Sequence, residues 1–382
     1  MFRAARMIPT AENQYIEFKR EETSAQTLTE EIVAFANGEG GDIWLGVDDD
    51  GNAVGLSRSY EEDVMNICRT AVIPPIHPVY ESLEATNTKG ERVQVARVSI
   101  PKGADRPYYT SRNRYFIRVG STKRIASREE LTRLFQAAGL FHYDLVEVGG
   151  AELKHLNQSA IADYFSRYRI DFLNEEEEER NRLISASDIA SENLIPTVGG
   201  LLVFGITPEY HLRQSGISLA VFEGAEIDSA LRDKKTFLGP LPMQIDNALA
   251  ALKANIPVPS DIVGAKRIDQ PGYPDKVLRE LLVNACVHRN YSIVGSQIRV
   301  FLFDDRIEFI SPGRLPNTVK ISKLTTGTSF ARNPLLVKLM ENLGYMDKLG
   351  RGLPMVYQEA KKLGRSVHFL DDGEEFRVIL GL

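Results

Sequence analysis

The sequence predicts a mixed α/β (α+β) protein with an α/β domain at each end, its sheets covered by helices. Alternating strand-like stretches interleave with helix-period stretches along the whole chain. At 382 residues the chain is too long for one small core, which points to two or three domains. A hydrophobic content of 43% with 26% charged residues is that of an ordinary globular protein. The segmentation expected is 1–140, a middle α/β linking region over 141–270, and 271–382.

"ENQYIEFKRE" (12–21) reads as an edge strand, with Ile16 and Phe18 toward a core and Tyr15, Glu17 and Lys19 on the other face. "TLTEEIVAFAN" (27–37) has helical spacing at Leu28, Ile32 and Phe35, and "GEGG" stops it before the strand "DIWLGV". Alternation there puts Ile43, Leu45 and Val47 on one face, and Trp44 and Asp48 on the face of Glu17. "DDDG" reads as a turn. "VQVARVSI" (93–100) and "RYFIRVG" (114–120) are further strands, the latter with Tyr115, Ile117 and Val119 inward. Ser127 and Glu130 have capping-box spacing at the start of a helix over 127–139.

Further on, "NQSAIADYFSRY" reads as a helix and "EEEEER" (175–180) as a solvated helix face or linker. "PTVGGLLVFG" (196–205) and "ISLAVFEG" (217–224) read as buried strands, and "MQIDNALAALKANI" (243–256) as an amphipathic helix. A helix from Asp275 leads into the strands "QIRVFLF" and "RIEFISPG". A glycine-rich loop then enters a helix in "LGRGLPMVYQEAKKLG", and the chain ends on a strand.

Two cysteines, Cys68 and Cys286, exclude a disulfide framework and a Cys-rich zinc site, and suit a reducing cytoplasm. No apolar run approaches membrane-spanning length, and "MFRAARMIPT" lacks the apolar core of a signal peptide. A net charge of −6 argues against a uniformly basic surface. The charge is nonetheless segregated: residues 1–63 carry 5 Lys/Arg against 14 Asp/Glu, and residues 89–133 carry 12 against 4.

Within the basic stretch, Arg114, Phe116 and Arg118 would line an outer face beside Lys123 and Arg124, with Arg106, Tyr109 and Arg112 just upstream. Together with Lys19 they suit phosphate neutralisation and base stacking. The same residues also suit a solvated edge strand whose aromatics belong to the core. Glu12, Glu17 and Asp48 suit a Mg²⁺ or Mn²⁺ site if they converge; acidic strand ends and turns are the plainer reading.

Toward the carboxy terminus, Glu280, Asn284 and His288 recur every four residues and share a helix face. Gly350 and Gly352 precede a helix whose free N–H groups suit an anion, although glycine also serves helix C-caps. No "GxxxxGK[ST]" occurs, so no helicase activity is expected.

"ENQYIEFKRE", "AFANGEGGDIWLGVDDDGNAVGL" and "RPYYTSRNRYFIRVGSTKRIASREELTRLF" together resemble the Schlafen AlbA-type domain over nearly all of residues 8–135. The resemblance implies a partner in DNA or RNA, and either of two roles. One is a DNA-binding transcriptional regulator. The other is a metal-dependent endoribonuclease on structured RNA such as tRNA, acting through Glu12, Glu17 and Asp48, with Asp49 as the alternative third acid. A homo-oligomer is expected.

"ELLVNACVHRNY", "RIEFISPGRLP", "RNPLL" and "GRGLPMV" resemble the carboxy-terminal domain of RecG-like or divergent AAA regulators, a relative of the GHKL ATP-binding sandwich. That implies Glu280 as activator of water, Asn284 as holder of Mg²⁺, a glycine box at 350–353, and an ATP-binding switch as a further reading. His288 is then structural or ligand-contacting. The adenine-reading Asp of that fold is replaced by "SPGRL" from Ser311, which puts ATP binding in doubt.

Overall fold

A computed structural model describes residues 8–256, 260–263, 266–269, 272–315, 319, 321–327, 330–346, 350–372 and 374–382. The chain forms two compact units, Met1–Leu140 and Phe141–Leu382.

In the first unit, β1 (Ile16–Lys19) enters α1 (Ala25–Asn37) and returns as β2 (Gly41–Leu45), parallel to β1. After α2 (Glu61–Thr70) and β3 (Val72–Ile73), the hairpin β4 (Val79–Thr86) and β5 (Arg92–Ile100) completes a sheet of order β1-β2-β5-β4. Next come β6 (Tyr109–Thr110), which pairs with β3, the hairpin β7 (Phe116–Val119) and β8 (Thr122–Ile125), and α3 (Arg128–Ala137). Ser24 caps α1 by accepting from the Thr27 N–H. The Ser127/Glu130 capping box forms on α3 as its spacing predicts.

Both faces of this sheet are covered. Leu28, Ile32 and Phe35 of α1 pack with Ile43, Leu45, Val98 and Ile100 on one side. Phe18, Trp44, Val47 and Val95 form a second, smaller core on the other. Buried Asn37 ties the end of α1 to the chain beyond the sheet. Its amide donates to the carbonyls of Tyr108 (2.8 Å) and Phe116 (2.9 Å), and its oxygen accepts from the Tyr108 N–H at 2.7 Å.

Three expectations about facing are corrected here. In the parallel register Glu17 lies level with Ile43 and Phe18 with Trp44, so Glu17 points to the α1 side and Trp44 to the opposite side. Gly46, at φ +82°, breaks the alternation, and Val47 therefore joins Trp44 rather than Ile43 and Leu45. In β7 it is Phe116 and Arg118 that turn inward, while Val119 is exposed, because β7 packs its even-numbered side chains against α1.

The second unit starts with α4 (Gln158–Ser166), α5 (Glu177–Ala186), α6 (Val198–Phe204) and α7 (Pro208–His211). It continues through β9 (Ile217–Glu223), β10 (Ala230–Phe237), α8 (Leu241–Asn255), the hairpin β11 (Ser260–Val263) and β12 (Lys266–Asp269), and α9 (Asp275–Val287). Then follow β13 (Ile298–Leu302), β14 (Arg306–Pro312), α10 (Pro334–Asn342), α11 (Gly352–Lys362), β15 (Val367–Asp372) and β16 (Glu375–Gly381). Six strands make one sheet, β10-β9-β13-β14-β16-β15. Because β9 pairs in parallel with β13, the 141–270 and 271–382 segments share this sheet within a single compact unit. Leu219, Val300, Phe309 and Val378 face a core shared with α8, α9 and α11.

Residues 198–204, expected as a buried strand, are the helix α6. A short apolar run does not declare its period; here Thr197 caps the turn by accepting from the Gly200 N–H at 3.0 Å. Strand β10, "ALRDKKTF", was not legible as a strand, being polar and mostly exposed at the sheet edge. Among the described residues no helix is long and apolar enough to cross a membrane.

Asp144 fixes the start of α10. Its Oδ2 accepts from the Leu335 N–H (2.7 Å) and the Leu336 N–H (3.1 Å), while its buried Oδ1 has no hydrogen-bond partner among the described residues. Burial pushes its carboxyl up to about 6, against the pull of those two N–H groups. Folding thus raises this pKa, so the folded chain holds the proton more tightly, and stability falls as pH climbs from the ordinary carboxylate range through about 6. Asp144→Asn, which cannot titrate, is expected to gain on the parent chain by up to about 3 kcal/mol between pH 4 and pH 7. Urea unfolding followed by circular dichroism at both pH values checks this; a constant difference between the two proteins would refute it.

Candidate functional site

The first unit gathers its charges inside. Arg118 on β7 donates through Nη1 to Glu17 Oε2 at 2.8 Å and to Glu31 Oε2 at 3.2 Å, and through Nη2 to the Asn13 carbonyl at 2.8 Å. Its guanidinium lies 4.3 Å from the centre of the Phe35 ring. Lys123 on β8 donates to Glu31 Oε1 at 2.7 Å, with Glu30 at 3.7 Å, and Lys19 donates to Glu17 Oε1. The side chains of Arg118, Glu17 and Glu31 are only 4–7% exposed. Burial pushes the Glu31 carboxyl up; Lys123 pulls it down and the neighbouring Glu17 charge pushes it further up.

The three acids taken as a metal set do not converge. Glu12 Oε1 accepts from the Phe18 N–H at 2.9 Å, and both Glu17 oxygens are held by Lys19 and Arg118. Asp48 organises its own turn, accepting from the Asn52 N–H at 2.8 Å and the Asp50 N–H at 3.2 Å. The Asn52 N–H above all holds the Asp48 carboxyl below its usual range. Asp49 is exposed on the turn. Among the described residues no group of three or more His, Cys, Asp or Glu is placed to hold a metal ion, and these three do not fit one as they stand.

The basic set divides. Lys19, Arg118 and Lys123 belong to the buried cluster, and Phe116 to the core. Arg106 is buried at the end of α1, donating to the carbonyls of Asn37 (3.5 Å) and Gly38 (3.3 Å). Tyr109 is half-buried against Tyr115 at 5.2 Å between rings. Arg112, which donates to Gln26 Oε1 at 2.7 Å, Arg114, and Arg124, paired with both oxygens of Glu130, remain exposed. Arg97–Asp42 (2.7 Å) and Lys102–Glu39 (3.0 Å) likewise pair the basic segment with the acidic one. The charge segregation read from the sequence is therefore largely consumed within the unit.

Sequence reasoning missed Glu31. It lies on α1 seven residues after Ser24, and its only signal was a carboxylate on the helix face carrying Leu28, Ile32 and Phe35, which a solvated helix would not bury.

The second unit holds a cavity lined by Glu280 and Asn284 of α9, His288, Ser311, Arg332 and the start of α11. Asn284 Nδ2 donates to Glu280 Oε1 at 2.7 Å and to the Glu280 carbonyl at 2.9 Å. Burial, and then the Arg332 charge, lower His288 to about 4, so it is neutral at physiological pH. Arg332, donating to the His288 carbonyl at 3.0 Å and to the Arg314 carbonyl, is itself lowered to about 10 by burial. Ser311, where an adenine-reading acid would stand, donates its hydroxyl to the Ala285 carbonyl at 2.8 Å. Glu280 and Asn284 fit the phosphate-and-metal end of a nucleotide; Ser311 does not fit the base end.

Gly350, at φ +64°, turns the chain into α11, and Gly352 rests directly on the Glu280 carboxylate. A Cβ at Gly352 would lie 1.6 Å from Glu280 Oε1, so a larger residue fits only if the Glu280 carboxylate moves aside. Gly352→Ala is expected to push the Glu280 carboxylate aside and to destabilise the unit by no more than about 1 kcal/mol. The loss should shrink to a few tenths when Glu280→Ala is also present. Chemical denaturation of the four proteins of this cycle measures both; additive losses would show that the two residues are not in conflict.

Comparison with known proteins gives two family matches. Residues 12–127 match the family described as Schlafen, AlbA_2, and residues 295–380 match the one described as putative ATP-dependent DNA helicase recG C-terminal. The chain matches none of the curated proteins compared with it. The crystal structure of the DIP2311 protein from Corynebacterium diphtheriae is similar over 96% of this chain and 75% of its own, at 20% identity and a TM-score of 0.48. The chain thus carries a Schlafen AlbA_2 domain in its first unit and a recG C-terminal-type, ATPase-like domain in its second.

Proposed function

We propose that this protein binds nucleic acid through its first unit and acts as a DNA-binding transcriptional regulator rather than as a nuclease. The Schlafen AlbA_2 match over residues 12–127 supports the binding. Binding without cleavage rests on one observation: both oxygens of Glu17 are occupied by cations of the chain itself, Lys19 and Arg118. Exposed Arg112 and Arg114 remain for phosphates, with Arg124 exposed beside them but paired to Glu130.

The second unit serves in this reading as a nucleotide-responsive module. What supports it is the cavity that Glu280, Asn284, Gly352 and Arg332 line together. Mg²⁺ there would supply charge neutralisation for phosphates, and Glu280 and Asn284 would hold it.

The test uses end-labelled tRNA, single-stranded DNA and duplex DNA with the full chain, in Mn²⁺ or EDTA, with binding and cutting read on the same gels. Salt-sensitive binding of duplex DNA without cuts is expected. Arg112→Glu with Arg114→Glu should weaken it about tenfold or more and make the salt slope shallower by about 2, with the melting temperature unchanged. Mn²⁺-dependent RNA cuts that disappear in Glu17→Gln would make the protein a nuclease and end the regulator reading.

A further inference from the structure

Three oxygens from different parts of the first unit converge on one guanidinium. Glu17 Oε2 of β1 and Glu31 Oε2 of α1 lie 2.8 and 3.2 Å from the same Arg118 nitrogen, and the Asn13 carbonyl lies 2.8 Å from the other. Two carboxylates and a backbone carbonyl are the donor types a small divalent cation takes, with water completing the shell. The three oxygens are shared between two guanidinium nitrogens, Nη1 and Nη2, and a Mg²⁺ ion in their place would need them drawn in to about 2.0–2.1 Å.

We propose that Arg118 is the built-in cation of an oxygen site formed by Glu17, Glu31 and the Asn13 carbonyl, and that its guanidinium excludes a divalent metal ion from that place. The site differs from the Glu12, Glu17 and Asp48 set, whose outer members are engaged with the Phe18 N–H and with the Asp48 turn. The surroundings fit a fixed occupant. Phe35 closes one face of the guanidinium, and Lys19 and Lys123 hold the outer oxygens, Glu17 Oε1 and Glu31 Oε1, leaving the inner pair directed at Arg118. A metal ion entering here must displace a hydrogen-bonded, stacked guanidinium.

Removing the guanidinium should convert the site. Arg118→Met keeps an apolar stem but removes the guanidinium from Phe35 and leaves the inner oxygens without a cation. Trp44, the chain's single tryptophan, sits in the core of the same unit and reports its unfolding by fluorescence. In the full-length parent chain, millimolar Mn²⁺ should leave the Trp44 transition where it is. Arg118→Met should melt lower in EDTA and recover by about 5 °C or more in Mn²⁺, and the recovery should vanish when Glu31→Gln is added. An Arg118→Met chain that is unfolded in EDTA is expected to regain its Trp44 signal in Mn²⁺. Overturning results are a parent chain that Mn²⁺ already stabilises, an Arg118→Met chain that Mn²⁺ does not rescue, or a rescue that survives Glu31→Gln. None of these readouts involves nucleic acid; the inference rests on the same occupation of Glu17 that carries binding without cleavage, and its failure leaves nucleic-acid binding itself untouched.

Discussion

The first unit is organised around the contact of Arg118 with Glu17 and Glu31. It joins the consecutive elements β1 and α1 to β7, far along the sequence, at a place where 4–7% of each side chain reaches solvent. Stripping water from two carboxylates and a guanidinium is expensive, and close pairing offsets it. Here the terminal nitrogens of the guanidinium meet two carboxylates and a carbonyl, a ring covers one face, and each carboxylate is held by a second cation, while the buried Nε has no partner among the described residues. Such a network tolerates one arrangement of its elements, because a slip of any strand would leave a buried charge alone. Asn37, with three hydrogen bonds of its own, fixes the other end of α1 in the same way.

That network also settles what the surface can do. Acidic and basic segments that look like two separate faces in the sequence meet as partners in the fold, at Glu17–Arg118, Glu31–Lys123, Asp42–Arg97 and Glu39–Lys102. What remains for a polyanion is a smaller set of exposed arginines. In the second unit, the buried cations take a different course: Arg289 and Arg332 donate through their terminal nitrogens to backbone carbonyls, those of Asn290, Ile293, Ser296, His288 and Arg314. They shape the loops around the cavity. Burial lowers both to about 10.

Much of the local structure was legible. The 3.6-residue spacing of Leu28, Ile32 and Phe35 marked α1, alternation marked β5, and the Ser127/Glu130 pair marked the start of α3. Legibility failed where the period was ambiguous or the usual composition was missing. Residues 198–204 are apolar all round because α6 is buried on every side, and a run of that length fits a strand equally well. Strand β10 carries Arg232, Asp233, Lys234 and Lys235 because an edge strand has solvent beside it.

The sequence by itself determined the kinds of element, the carboxylates and cations available, and, through several ordered motifs, the two families of domain. Only the tertiary structure decided which of those charges meet. A strand's alternation names two faces but not which one a partner covers; that depends on the register of β1 against β2 across the whole of α1, and on the reversal at Gly46. Both sheet faces turned out to be covered, so Glu17 went inside, opposite a glutamate on α1, and the arginine nearest to both became its cation. Pairing of that kind is a property of distance in space, which spacing along the chain does not carry.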